Sequence, residues 1–243
     1  MTSDVPKMPG PRFKVPVEAQ AGMQSGDRVA AGLRGFGPLG VVAILVVFAG
    51  NLVIVPLSAI LVLLWAQRSG TPWGELGFVR PDSWARTVLV GIAFGIALKL
   101  LMKIIVMPLL GAEPINQTYQ YLVGNRSALP GMYYAIIIGA GFGEETLFRG
   151  FMFERLGKLF GCGAGAKTFV VLLTAGLFGL AHYFEQGLPG VQQGTIVGLV
   201  FGAIFAVTGR IFMLMIAHAA FDLTALAIIY WNLESTVAHL IFK

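Results

Sequence analysis

The apolar residues of this 243-residue chain lie in long blocks separated by short polar connectors. Blocks of that length match the hydrocarbon core of a bilayer, which a helix crosses in about 20 residues. In lipid, backbone polar groups must find their partners inside the protein, and a helix satisfies them within each block. The expected fold class is therefore all-α: a polytopic transmembrane bundle of about six to eight helices around a water-accessible cavity. Charged residues make up 12% of the chain, against roughly 25% in a soluble domain, so about half the usual solvated surface is missing. Disorder, collagen-like repeats and a disulfide scaffold are excluded on the same grounds. The single cysteine, Cys162, has no partner for an internal bridge and fits no zinc-binding spacing. The net charge of +5 is read as basic residues flanking apolar spans, where they set topology, and no nucleic-acid partner is expected.

Residues 1–38 are polar and rich in Pro and Gly, and read as a flexible tail with too little apolar surface to repay ordering. Spans are expected at about 39–65, 87–110, 131–160, 168–184, 194–207 and 211–231. Asn51 and Pro56 fall inside the first, which allows a kink or a break. Residues 111–130 are too polar to cross and read as a loop with a surface helix. Gly91/Gly95, Gly139/Gly143 and Gly194/Gly198/Gly202 carry the small-xxx-small spacing of close helix packing in lipid. None follows a strand, so none marks a nucleotide loop. The Lys and Arg of the two sets of connectors nearly balance, so they give no orientation.

Ionisable groups inside apolar blocks are costly, at about 2.5–3.5 kcal/mol each on insertion scales, and demand a compensating structure. Here they are Lys99 and Lys103, then Glu144, Glu145 and Arg149, then His182, then His218 and Asp222. Two histidines, three carboxylates and an arginine on three separate spans would most cheaply converge on one water-containing cavity. Glu145 and Arg149 are spaced i, i+4 in the order that favours an ion pair. Glu144 is rotated by about 100° from its neighbour on an ordinary helix, so Arg149 does not readily serve both. One carboxylate is tied to a cation, and the other is left to face a different surface. Adjacent carboxylates in a low dielectric repel, and such a pair suits one member to general-base work. Phe178/His182 and His218/Asp222 repeat the i, i+4 spacing, with Gly and Ala around them leaving room for close approach. Lys99 and Lys103 share a face of the second span, and are read as cavity-lining or as partners of the acids.

Taken together, Glu144-Glu145-Thr-Leu-Phe-Arg149, Phe178-Gly-Leu-Ala-His182 and His218-Ala-Ala-Phe-Asp222 resemble the E-E-x-x-x-R, F-x-x-x-H and H-x-x-x-N/D signatures of the CPBP family. That family includes type II CAAX prenyl endopeptidases and many bacterial self-immunity proteins. The resemblance covers about residues 130–231. It implies a multi-pass protein of a bacterial cell membrane, with accessory helices in 39–128 and a catalytic bundle in 129–243. It also implies a glutamate-dependent, metal-independent peptidase acting on a prenylated protein or small peptide, with no cofactor. Carried over by position, Glu144 would activate a water with help from His182. His218 and Asp222 would form the oxyanion pocket, and Glu145 and Arg149 would hold the first glutamate in place. Asp222 stands where the prenyl endopeptidases typically carry Asn, and an ionised Asp repels an oxyanion. The alternatives are a zinc site on Glu144, His182 and His218, though the chain has no H-E-x-x-H, and a non-catalytic immunity or scaffold protein. A proton-coupled transporter is disfavoured by the lack of a repeat between the halves.

Overall fold

The computed structural model describes residues 25–53 and 56–242. Helices account for the ordered elements, and no strand occurs among the described residues. They are α1 (Ser25–Arg34), α2 (Pro38–Val53), α3 (Leu57–Ser69), α4 (Trp84–Leu109) and α5 (129–160). After these come α6 (Ala164–Ala181), α7 (Tyr183–Thr208), α8 (Phe212–Tyr230) and a short α9 (Glu234–Ala238). Among the described residues, four helices are long and apolar enough to cross a membrane: α4, α6, α7 and α8. A fifth span results if Gly26–Arg34 and Pro38–Gly50, bent by 64°, are taken as one.

The first half of the chain departs from the sequence reading in two places. The expected tail, 1–38, lies partly outside the described residues, but its end is the helix α1. The carbonyls of the last turn of α1 do not point to water: Trp65 Nε1 donates to Leu33 O at 3.0 Å and Arg155 Nη1 to Arg34 O at 3.0 Å. A cation at a helix C-terminus satisfies orphan carbonyls and complements the dipole. The block 39–65 is two helices rather than one span. Leu61 Cδ1 stands 2.7 Å from where a Cβ on Gly50 would lie, although in one straight helix these residues would be about 16 Å apart. The chain thus folds back near Pro56, and Val47, Val62 and Trp65 pack with Leu147, Phe148 and Phe151 of α5.

The second half has a helix at each of the four expected places. However, α7 starts at Tyr183 rather than near 194, with a break at Gly187, and α5 is not among the helices long and apolar enough to cross. The centre of this half is α8, which packs along α4 and against the middle of α5. Leu98, Met102, Val197, Phe201, Leu214, Ala217 and Phe221 fill the space between α4, α7 and α8. Leu89, Ile96, Leu172 and Leu180 stay exposed on the outside, as lipid-facing side chains do. Close approach depends on absent side chains: a Cβ on Gly95 would lie 2.8 Å from Ala220 Cβ and 2.9 Å from Phe221 N. On the opposite side of α8, a Cβ on Gly141 would meet Met215 O at 2.9 Å. In α5, Ala135–Glu144 and Thr146–Phe151 are π-helical, a winding rare in proteins and concentrated at functional sites.

Gly95→Ala should therefore destabilise the protein by about 1–3 kcal/mol through overpacking, a loss visible as a lower thermal midpoint in detergent. Gly176→Ala, where nothing lies within 4 Å, should leave that midpoint unchanged or raise it slightly.

Candidate intramembrane active site

Three helices supply the polar side chains expected to act together. The two π-helical stretches of α5 carry Glu144 and Arg149, with Glu145 between them, the last turn of α6 leads into His182, and the middle of α8 carries His218 and Asp222. Glu145 is fully buried, and its Oε1 accepts from Arg149 Nη1 at 2.9 Å and from His218 Nδ1 at 2.8 Å. Arg149 is held between two rings, its Cζ 4.7 Å from the centroid of Phe178 and 5.4 Å from that of Phe201. The expected Glu145–Arg149 pair is present, and the same carboxylate also fixes His218.

With Nδ1 committed to Glu145, His218 turns Nε2 toward two other acids. Glu144 Oε2 lies 3.8 Å from it and Asp222 Oδ2 3.6 Å. His182 is fixed differently, its Nδ1 donating to Phe178 O at 2.8 Å, which assigns the proton to that nitrogen and leaves Nε2 as the acceptor of the neutral ring. The Phe178 ring stands edge-on to both imidazoles, at centroid distances of 4.8 Å from His182 and 5.8 Å from His218. Glu144 Oε2, Glu145 Oε2, Thr146 Oγ1 and Arg149 Nη2 are buried without a protein hydrogen-bond partner among the described residues. Buried polar atoms of this kind ordinarily bind water or a ligand group.

A cavity of about 560 Å³ opens beside these groups, and Glu144, His182, His218 and Asp222 all line it. Glu145 and Arg149 do not; they sit behind the wall. Lys99 and Lys103 also reach the cavity, but not as partners of the glutamate pair. Lys103 Nζ binds Glu234 Oε1 at 2.9 Å, and Lys99 Nζ donates to Gln193 Oε1 at 3.0 Å. Among the described residues, no three His, Cys, Asp or Glu side chains are grouped so as to hold a metal ion.

Further residues that line the cavity are absent from the sequence reading. The connector after α4 forms a short 3-10 turn, Gln117–Leu122, pinned at both ends. Buried Glu234 accepts from Asn116 N at 3.2 Å and from Gln120 Nε2 at 2.9 Å, and Thr118 Oγ1 donates to Glu185 O at 2.9 Å. Tyr119 completes the contact, with its hydroxyl 3.4 Å from Glu185 Oε2. Burial, helped by that carboxylate, pushes the Tyr119 hydroxyl above the ordinary tyrosine range, so it remains a donor. The signals for these contacts were an acid near the C-terminus and a polar connector, neither of which points to a partner 66 to 118 residues away.

Fold and site together define a polytopic membrane protein with a polar, acid-rich cavity among its helices. Residues 126–224 match the family described as type II CAAX prenyl endopeptidase Rce1-like, and that match supports the CPBP, or CAAX protease, family that the three motifs resemble. All three motifs fall inside the match. No curated protein and no solved structure matches the chain.

Replacing Arg149 by Met would strand the Glu145 carboxylate in the protein interior. Breaking a buried pair from one side costs about 3–5 kcal/mol, so the thermal midpoint of Arg149→Met should fall well below that of the parent. Adding Glu145→Gln should recover part of the loss, because no bare charge then remains.

Proposed function

We propose that the chain is an intramembrane endopeptidase in which Glu144 activates a water that attacks a peptide carbonyl. The observation that carries this reading is the unequal fate of two adjacent glutamates. Glu145 is spent on Arg149 and His218 behind the cavity wall, whereas Glu144 lines the cavity with an unpaired oxygen. A carboxylate so placed takes a proton from water as the water oxygen bonds to the carbonyl carbon. The carbonyl oxygen becomes an oxyanion, which needs fixed donors. Here His218 is the donor through Nε2, its ring held by Glu145. Asp222, 3.6 Å from that nitrogen, orients the imidazole rather than binding the oxyanion itself. As the C–N bond breaks, the proton held by Glu144 passes to the leaving nitrogen, giving a new carboxylate and a free amine. Atoms and charge balance without a covalent enzyme intermediate. His182 assists by accepting a hydrogen bond from the attacking water through Nε2.

The family supports a peptide or prenylated-protein substrate within a membrane, and a bacterial cell membrane is the setting proposed. A cavity of about 560 Å³ is of the size that holds a drug-sized ligand, enough for a few residues of an extended chain. No metal takes part in this mechanism.

Glu144→Gln should lower hydrolysis of a farnesylated CAAX-type peptide by at least about 100-fold while the protein still inserts, and a chelator should leave the parent rate unchanged. Unaltered turnover in Glu144→Gln, or loss of activity to the chelator, would overturn the proposal.

A further inference from the structure

The cluster of charges around His218, in and behind the cavity wall, holds more acids than cations. Glu144, Glu145 and Asp222 face Arg149 and His218, and Arg149 is committed to Glu145. A developing oxyanion would add another negative charge to the same space. Asp222 aggravates this most, because its carboxylate stands beside the imidazole nitrogen that would serve as the donor.

Lys99 presents the opposite problem. It is buried to 8% exposure in the middle of α4, a span long and apolar enough to cross the membrane, where an uncompensated ammonium is costly. Among the described residues it donates to Gln193 Oε1 at 3.0 Å and lies 4.7 Å over the ring of Phe221. No carboxylate is within ion-pair distance of it there. Lys103, one turn away, is already neutralised by Glu234 at 2.9 Å. Lys99 has no ion-pair partner among the described residues and Asp222 has only the imidazole of His218, and the two sit on facing helices, lining one cavity. Asp222 directly follows Phe221, the ring on which the ammonium rests.

We propose that Lys99 is the counter-charge of Asp222 across the cavity, a positioning residue that keeps the carboxylate beside His218 from repelling the oxyanion. The catalytic part of this inference rests on the peptidase reading above; the pairing does not. Fixed opposite charges stabilise each other strongly where water is scarce. An amide at position 222 would remove the need for the lysine, so the two positions should be coupled.

The test compares the full chain in detergent as the parent, Lys99→Met, Asp222→Asn and the double variant. Lys99→Met should lower the thermal midpoint by about 2–6 °C in the parent but by less than about 1 °C in the Asp222→Asn chain. Equal losses in both backgrounds would overturn the pairing. In hydrolysis of the farnesylated peptide, Lys99→Met should cost about tenfold or more. The double variant should stay within about threefold of Asp222→Asn alone. Coupled midpoints with uncoupled rates would overturn the positioning role. If Lys99→Met does not accumulate, Asp222→Asn against the double variant decides the matter, and a double variant that also fails to accumulate overturns the pairing. A parent without hydrolytic activity, or a fully active Glu144→Gln, would sink the peptidase reading and with it the positioning role, while the midpoints still decide the pairing.

Discussion

One carboxylate oxygen organises the site. Glu145 Oε1 accepts a hydrogen bond from Arg149 on its own helix and another from His218 on α8. Desolvating an ion costs several kcal/mol, which is repaid only when geometry and hydrogen bonding are good. Here the repayment comes from two charge-assisted bonds and two aromatic rings flanking the arginine. Because the partners belong to different helices, the same contact fixes the register of α5 against α8. It also sets which nitrogen of His218 faces the cavity. A glycine at 141 lets the helices come close enough for the contact to form.

The neighbouring glutamate gains its character by exclusion. With Arg149 and the inner nitrogen of His218 consumed, Glu144 meets only the cavity side of the cluster. Adjacent positions on a helix are rotated by about 100°, which puts Glu145 behind the wall while Glu144 lines the cavity. On the proposed peptidase reading, Glu145 and Arg149 in the wall would support Glu144 and His218 on its inner surface, the arrangement that preorganised electrostatic catalysis requires. The 3-10 turn, anchored by Glu234 and Glu185, adds polar side chains to the cavity lining.

The site was largely legible in the sequence, and the first half of the fold was not. Glu145 and Arg149, His182, and His218 and Asp222 could be singled out because charges are rare in apolar blocks and helical spacing fixes which share a face. Local spacing could not say that Glu145 also binds His218, since that bond joins residues 73 positions apart. The block 39–65 reads as one span that Asn51 and Pro56 could kink or break, and composition alone does not separate a broken span from a hairpin of two shorter apolar helices. Helix α1 was hidden for the reverse reason. Its polar sequence offers little apolar surface, and its anchors, Trp65 and Arg155, lie far along the chain. Lys99 and Lys103 looked equivalent, one turn apart on a single face. Only tertiary contacts separate the lysine paired with Glu234 from the one resting on Phe221.

The account turns on water, and not a protein side chain, being the nucleophile. A single turnover of the farnesylated peptide in heavy-oxygen water, with enzyme in excess, tests this directly by mass spectrometry of both products and protein. The account predicts one heavy oxygen in the newly formed peptide carboxylate and none in the protein. Heavy oxygen in Glu144, as hydrolysis of an acyl-glutamate intermediate would leave, would contradict it.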